Sequence, residues 1–316
     1  MITEAYGRYI SMRTYTKNSI HTFTTSGTTG HPKQVQHSQE FLDEVSQANI
    51  DLYGHTKKSK LLNYMAPMSI GTAVMMDNVQ RMIGCEVLHE KFNPFTFIDY
   101  IHEVRPTFMV MPPNMWRVLS KMSSWQELDM SSFDCVSVGG DFTANGMLHD
   151  IARRGAKKVL NVYGSTEVPP PVLYSYGENH YSRYKTPDGV SMKFSDRRTL
   201  MCKWDSQGEW WDSEDLVEGK NVWDFYLKGR ERNMFKQDNV RVYPEEVEKT
   251  AVHYGASIAL CRQVNFNAVV FYTGDMNEFS LHQELKHIPR LRMKRVSHIE
   301  VDENLRKIVR NQSIPT

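Results

Sequence analysis

The apolar positions of this chain change period repeatedly between about Ser59 and Val162. Lys60–Met65, Glu86–His89 and Thr107–Met111 are short, largely apolar runs of the kind that form strands. Between them, Met75, Val79, Met82 and Ile83 recur at helical spacing within Gly71–Gly84, and Phe97, Ile98, Ile101 and Val104 do so again further on. Pro113 opens another helix reaching Lys121, since proline suits a first helical turn. Phe133–Val138 and Lys157–Val162 read as strands flanking a helix at Ala144–Arg154. Strand–helix alternation of this kind predicts an α/β fold built on a mainly parallel sheet with covering helices.

From Pro169 to Glu209 the pattern dissolves into polar loops and short strands. It resumes after Lys228 with a helix near Pro244–Tyr254, strands at Ala256–Cys261 and Ala268–Tyr272, a helix at Glu278–His287 and a strand near His298–Val301. This second stretch predicts a small C-terminal α+β domain. The expected division is a large domain over residues 1–228 and a small mobile one over 229–316, with a hinge in Lys228–Asn233. No internal repeat or low-complexity tract interrupts either part.

Length and composition narrow the class. A chain of 316 residues suits about two domains. Lys and Arg total 38 against 37 Asp and Glu, a balance that argues against a general nucleic-acid or acidic-membrane binder. The four cysteines form no CxxC pair and the twelve histidines no HExxH, so neither a zinc spacing nor a disulfide framework is expected. No apolar run approaches the ~18 residues of a membrane span, and Met1–Asn18 lacks the apolar stretch of a signal peptide. The expectation is a cytoplasmic protein without a membrane span. Its 18 methionines are read as core filling.

The most informative segment is Thr24-Thr25-Ser26-Gly27-Thr28-Thr29-Gly30-His31-Pro32-Lys33. Glycines let backbone N–H groups turn into a concave anion nest, hydroxyls add donors, and a following lysine supplies mobile positive charge. Such a loop suits the outer phosphates of a nucleotide, although turns of similar composition also occur on ordinary surfaces. It is not a Walker loop, because Gly27 and Gly30 are three apart and no Ser or Thr follows Lys33.

From Thr25 to Lys33 the segment meets every fixed position of [ST]-S-G-[ST]-T-G-x-P-K, and so resembles the phosphate loop of the adenylate-forming, AMP-binding superfamily of acyl-CoA synthetases, peptide-synthetase adenylation domains and luciferases. Five further segments match in the family's order along the chain. Asn161-Val162-Tyr163-Gly164-Ser165-Thr166-Glu167 resembles N-x-Y-G-x-T-E, just after a predicted strand, where open α/β sheets bind ligands. There Tyr163 offers a flat face for adenine, Asn161 an amide for its edge, Thr166 a donor to the α-phosphate, and Glu167 a hard oxygen for Mg²⁺. Val138-Gly139-Gly140-Asp141 is similar to the family's Gly-Gly turn beside the acyl pocket and adenine. Asp212-Ser213-Glu214-Asp215-Leu216 resembles the T-G-D-L segment whose aspartate holds the ribose, with Ser213 and Glu214 in place of Thr and Gly. Gly229-Arg230 through Glu248 resembles the family's hinge segment, in which Arg230 would bind ribose or phosphate; Asn233 and Asn239 depart from it.

The last match is Arg306-Lys307-Ile308-Val309-Arg310, similar to G-K-[IV]-x-R, with Arg306 for glycine. By resemblance Lys307 is the lysine that contacts the reacting carboxylate. The family's chemistry implies ATP and Mg²⁺ as cofactors, a small carboxylic acid as substrate, and a thiol (coenzyme A or a carrier-protein pantetheine) or an amine as acceptor. Family members carry a large segment ahead of the phosphate loop, and here about twenty residues precede it. The expectation is an N-terminal lobe pared down, or completed by a partner or a homo-oligomer. Met68-Ser69 stands where many relatives place a His or aromatic residue against the acyl chain. The alternative reading, drawn from the departures, is a nucleotide-binding pseudoenzyme with a sensing or scaffolding role.

Overall fold

In the computed structural model the structure describes residues 16, 18–25, 33–141, 143, 145–176, 184–300 and 312–314. They fall into two compact units. The first holds the described residues through Ser191 together with Cys202–Trp211; the second holds Met192–Met201 and the described residues from Asp212 onward. Among the described residues no helix is long and apolar enough to cross a membrane.

The first unit begins with an antiparallel hairpin of β1 (Ile20–Thr25) and β2 (Lys33–Ser38). The Ser38 hydroxyl accepts from the Phe41 N–H at 3.2 Å and so caps the helix Gln39–Tyr53, which Gly54 ends in the left-handed conformation that glycine adopts freely. The strands that follow are β3 (Lys60–Asn63), β4 (Glu86–His89), β5 (Phe108–Met111), β6 (Cys135–Gly139), β7 (Val159–Tyr163) and β8 (Leu173–Tyr176). They form one sheet in the order β4-β3-β5-β6-β7-β8, parallel from β4 through β7, with β8 antiparallel at the edge. The α/β class and the mainly parallel sheet read from the sequence are therefore correct.

The alternation of side chains along these strands explains the helices on both faces. Leu62, Met109, Met111, Val136 and Val138 point to one face, into a core that includes Phe97, Trp116, Trp125 and Ile151 from helices and turns. Leu61, Phe108, Cys135 and Ser137, the intervening positions, lie on the other. There Tyr53 of the first long helix stacks on Phe108 at 4.6 Å between ring centres and its hydroxyl sits 3.2 Å from Ser137 Oγ. Strands buried on both faces read as continuous apolar runs, as these do. Met75, Met76, Met109, Met111, Met115 and Met130 are all buried in the core, whereas Met68 is exposed.

The helix expected over Gly71–Gly84 runs as Ile70–Thr72, a π-helical turn Ala73–Asp77, and Asn78–Ile83, with Gly84 left-handed at its end. The second unit packs the helices Pro244–His253 and Glu278–Glu284 on one face of a three-stranded sheet, Ala256–Val264, Asn267–Gly274 and Arg292–Arg295. Its last strand corrects the expectation of one near His298–Val301: His298, Ile299 and Glu300 are not in a strand, and Val301 lies outside the described residues. Arg292, Lys294 and Arg295 mask the strand pattern because charged side chains are tolerated on a sheet edge.

Candidate active site

The phosphate-loop segment is the connection of the first hairpin. Thr25 and Lys33 are partners across β1 and β2, so the two ends of the segment are held side by side. Thr24 and Lys33 are exposed. Ser26, Gly27, Thr28, Thr29 and Gly30, with His31 and Pro32, lie outside the described residues, as does Lys307. Phe23 (1% exposed) anchors the hairpin inward while its neighbours Thr22 and Thr24 face out, the alternation of a half-buried strand.

Two further segments leave the sheet together. In the parallel pairing of β6 and β7, Val138 is the partner of Asn161 and Gly139 of Val162. Gly140-Asp141 and Tyr163-Gly164 therefore emerge side by side at the carboxyl edge, the place where ligands bind in open α/β sheets. Sterics explain the glycines. A Cβ on Gly139 would stand 2.5 Å from the Val162 carbonyl oxygen, one on Gly164 would stand 2.7 Å from Pro170 Cα, and Gly140 has φ +83°. Gly139→Ala is expected to destabilise the protein by about 1–3 kcal/mol, read as a lowered thermal midpoint, because the obstacle is backbone and cannot swing away.

Past Gly164 the chain folds into a tight turn. The Ser165 hydroxyl accepts from the N–H groups of Glu167 and Val168, each at 3.1 Å, and the Ser165 N–H donates to the Val168 carbonyl at 3.0 Å. This holds Thr166 and Glu167 half-buried at the mouth of the strand. Tyr163 is half-buried too, and Asn161 Nδ2 lies 3.5 Å from the Tyr184 hydroxyl. Magnesium takes one or two protein carboxylates and completes its shell with water and phosphate oxygens. Glu167 supplies one carboxylate, and among the described residues no group of three or more His, Cys, Asp or Glu forms a self-sufficient metal site. Such a donor set fits a metal that arrives on a nucleotide.

One residue of this site went unmarked in the sequence. His37, on β2, donates from Nε2 to the Thr166 carbonyl at 2.7 Å, which fixes its tautomer. Burial pushes its pKa below the ordinary imidazole range; the bond to Thr166 and the nearby Glu167 charge pull partly the other way. Its available signal was its phase: Val35 and His37 share the face of β2 that turns inward, whereas Lys33, Gln34 and Gln36 are exposed.

The strand Trp211–Asn221, which belongs to the second unit from Asp212 onward, pairs antiparallel with Asp224–Arg230, and Asp215 is the direct partner of Arg230. Their side chains form an ion pair, Asp215 Oδ1 to Arg230 Nε at 3.4 Å, with Asp215 only 8% exposed. Ser213 donates to the Leu200 carbonyl at 2.8 Å and accepts from the Asp215 N–H at 3.0 Å, so its hydroxyl shapes the turn that presents Asp215. Glu214, where the family pattern has glycine, sits at φ +59°, in the left-handed region that glycine favours, and pairs with Arg232 at 3.1 Å. Asn239, the other glycine replacement, is left-handed as well (φ +66°), a conformation asparagine tolerates. Asn233 donates to Glu245 Oε1, and Lys228 bridges Glu218 at 2.9 Å and Glu246 at 2.6 Å.

The described candidates thus form two clusters. One joins Lys33, Gly140, Asp141, Asn161, Tyr163, Gly164, Thr166 and Glu167 to the hairpin and sheet edge of the first unit; the other sets Asp215 beside Arg230 in the second. Solved structures of similar fold include the amide bond synthetase McbA from Marinactinospora thermotolerans (18% identity, TM-score 0.74, covering 91% of this chain and 67% of that one). Another is the O-succinylbenzoate coenzyme A synthetase MenE from Bacillus subtilis in complex with AMP (18%, 0.77, 92% and 68%). A third is the anthranilate CoA ligase AuaEII in complex with anthranoyl-AMP (15%, 0.76, 92% and 65%). At such identities the likeness is one of fold, and the chain spans about two thirds of the length of each. No curated protein matches the sequence. The family described as AMP-binding enzyme matches residues 19–211, from the start of the hairpin through the sheet edge and beyond. The chain belongs to the AMP-binding enzyme family, the adenylate-forming superfamily that its motifs resemble.

Proposed function

We propose that the protein is an acyl-adenylate-forming ligase that activates a small carboxylic acid with ATP and then passes the acyl group to a thiol or an amine. The observation that carries this reading is the meeting of the phosphate-loop hairpin, the Gly140-Asp141 turn and the Tyr163–Glu167 turn at one unit's sheet edge, joined by the His37–Thr166 bond. In the first half-reaction a carboxylate oxygen attacks the α-phosphorus, the bond to the bridging oxygen of the β-phosphate breaks, and pyrophosphate leaves. In the second, the acceptor attacks the acyl carbonyl and AMP leaves.

Two anions must approach each other, so positioned donors and positive charge supply most of the catalysis. Residues 24–33 hold the leaving phosphates, with Lys33 matching their charge. Tyr163 lies against adenine and Asn161 against its edge, beside Gly140 and Asp141; Thr166 donates to the α-phosphate. Asp215 accepts from the ribose hydroxyls with Arg230 beside it, and Lys307 guides the carboxylate. Magnesium, held through Glu167, would neutralise phosphate oxygens as charge develops. The small domain is proposed to turn about Lys228–Asn233 between the two half-reactions, a hinge motion of a common kind. Among the departures on which the pseudoenzyme alternative leaned, Ser213 places a hydroxyl on the Asp215 N–H and Glu214 is left-handed, as a glycine there could be, whereas Arg306 lies outside the described residues.

The test is ATP–pyrophosphate exchange with short, long-chain, aromatic and amino acids. Exchange that depends on one class of acid is expected; none with any acid, in a protein that binds ATP, would favour the pseudoenzyme. The solved structures of similar fold include a CoA synthetase, a CoA ligase and an amide bond synthetase. The acceptor panel is therefore coenzyme A, a pantetheinylated carrier and amines.

A further inference from the structure

We infer that His37 is a positioning residue that locks the Thr166–Glu167 turn onto the phosphate-loop hairpin, so that the two phosphate-handling segments move as one body. The inference deepens the reading above and rests on it. Thr166 lies 129 residues from His37 in the chain, and the 2.7 Å bond between them joins β2, which starts at Lys33, to the turn after β7.

Both ends of this link are held by packing and hydrogen bonds. The imidazole is 7% exposed and packs between Phe23 of β1 and Phe41 of the first helix, with ring centres 5.9 and 5.1 Å away. The base of the hairpin is tied down in the same way. Gln39 accepts from His21 Nε2 at 2.8 Å and donates to Asn78 at 3.1 Å. On the other side the turn is closed on itself by the Ser165 hydroxyl, so a force on the Thr166 carbonyl moves Thr166 and Glu167 together. Without the His37 bond, the turn and the hairpin could each shift independently, and a displacement of an ångström at a phosphate-binding group is costly.

The residue type also matters. A neutral imidazole offers one directed N–H and no net charge. A lysine or arginine at this point would be drawn to the Glu167 carboxylate and would compete with a cation for it. Groups that orient a metal-binding segment from behind commonly account for 10–100-fold in metal affinity.

The test uses the intact protein with His37→Phe, which keeps an aromatic ring between Phe23 and Phe41 but has no donor, and His37→Gln, whose side-chain amide can return an N–H. Three quantities are measured: the thermal midpoint without ligand, the affinity for MgATP by calorimetry, and, in pyrophosphate exchange, the half-saturating Mg²⁺ concentration beside the KM of the acid. For His37→Phe the expectation is a MgATP affinity weakened about tenfold and a higher Mg²⁺ requirement, with the acid KM unchanged; His37→Gln should restore most of the affinity. The inference is overturned if folded His37→Phe binds MgATP like the unsubstituted protein, or if His37→Gln loses as much as His37→Phe. It is also overturned if the acid KM and the nucleotide affinity worsen together in step with the melting temperature. Should His37→Phe fail to fold, the amide variant decides alone: near-normal MgATP affinity supports the link and a tenfold loss rejects it. A protein that binds MgATP but exchanges no pyrophosphate would sink the ligase reading while leaving the affinity comparison intact; one that binds no MgATP overturns both.

Discussion

Lys307→Ala is expected to remove most acyl-adenylate formation, a loss of about 10²–10³ in single-turnover rate of the kind seen when one placed charged donor is deleted. Acyl transfer from a supplied acyl-adenylate should survive at close to the normal rate, and so should nucleotide binding. In the expected division of the sequence, Lys307 falls in the C-terminal domain, whereas the phosphate loop and Glu167 fall in the N-terminal one. A lysine delivered by a domain that turns about a hinge acts in only one of its arrangements. In the proposed mechanism it would neutralise the incoming carboxylate when that group faces the α-phosphate, and would be withdrawn when the acceptor attacks. Its neighbour Arg306 replaces the family's glycine, so Arg306→Gly is the companion variant and should leave adenylation intact. Each half-reaction is measured by rapid quench. Equal losses in both would reject the two-arrangement mechanism.

Lys33→Ala should slow adenylation by a comparable factor, ~10²–10³, with a different signature. The residue opens β2 opposite Thr25, at the foot of the loop proposed to hold the leaving phosphates. Charge develops on pyrophosphate as its bond to the α-phosphorus breaks, so an ammonium placed there is worth more in the transition state than in the ground state. Its removal should lower kcat for exchange more than it raises the KM for ATP, and transfer from supplied acyl-adenylate should be untouched because pyrophosphate has already gone. Unchanged exchange in this variant would remove Lys33 from the leaving-group role.

Much of the fold was legible because its physics is local. Strands such as Phe108–Met111, buried on both faces, must be apolar throughout, and the helices between them must carry a stripe every three to four residues. The first long helix was equally marked, by Ser38 as a cap, by Phe41, Leu42, Val45, Ile50 and Tyr53 at helical spacing, and by Gly54 after it. It lies ahead of the strand–helix alternation that begins at about Ser59. Two features left no such trace. The π-helical turn at Ala73–Asp77 depends on tertiary packing, and the strand Arg292–Arg295 carries the charges of an exposed edge.

The site divides along the same line. Gly139 and Gly140 were legible as a glycine turn and Gly164 only as part of a motif; the structure supplies the atoms that Gly139 and Gly164 approach, the Val162 carbonyl and Pro170. Ser213 and Glu214 looked like departures when compared letter by letter. In three dimensions a hydroxyl and a left-handed backbone are what the turn requires, and both residues provide them. His37 was invisible because its partner is a backbone carbonyl, which no side-chain pattern encodes.

The proposed chemistry turns on which atom of ATP is attacked and by what. The most direct measurement supplies the protein with its preferred acid labelled with ¹⁸O in both carboxylate oxygens, together with ATP and an acceptor, and reads the products by mass spectrometry. Attack of the carboxylate on the α-phosphorus leaves one labelled oxygen on AMP, none on pyrophosphate, and one in the acyl product. Label in inorganic phosphate with release of ADP would mean attack at the γ-phosphorus, and AMP free of label would mean that no acyl-adenylate formed; either result contradicts the proposed function.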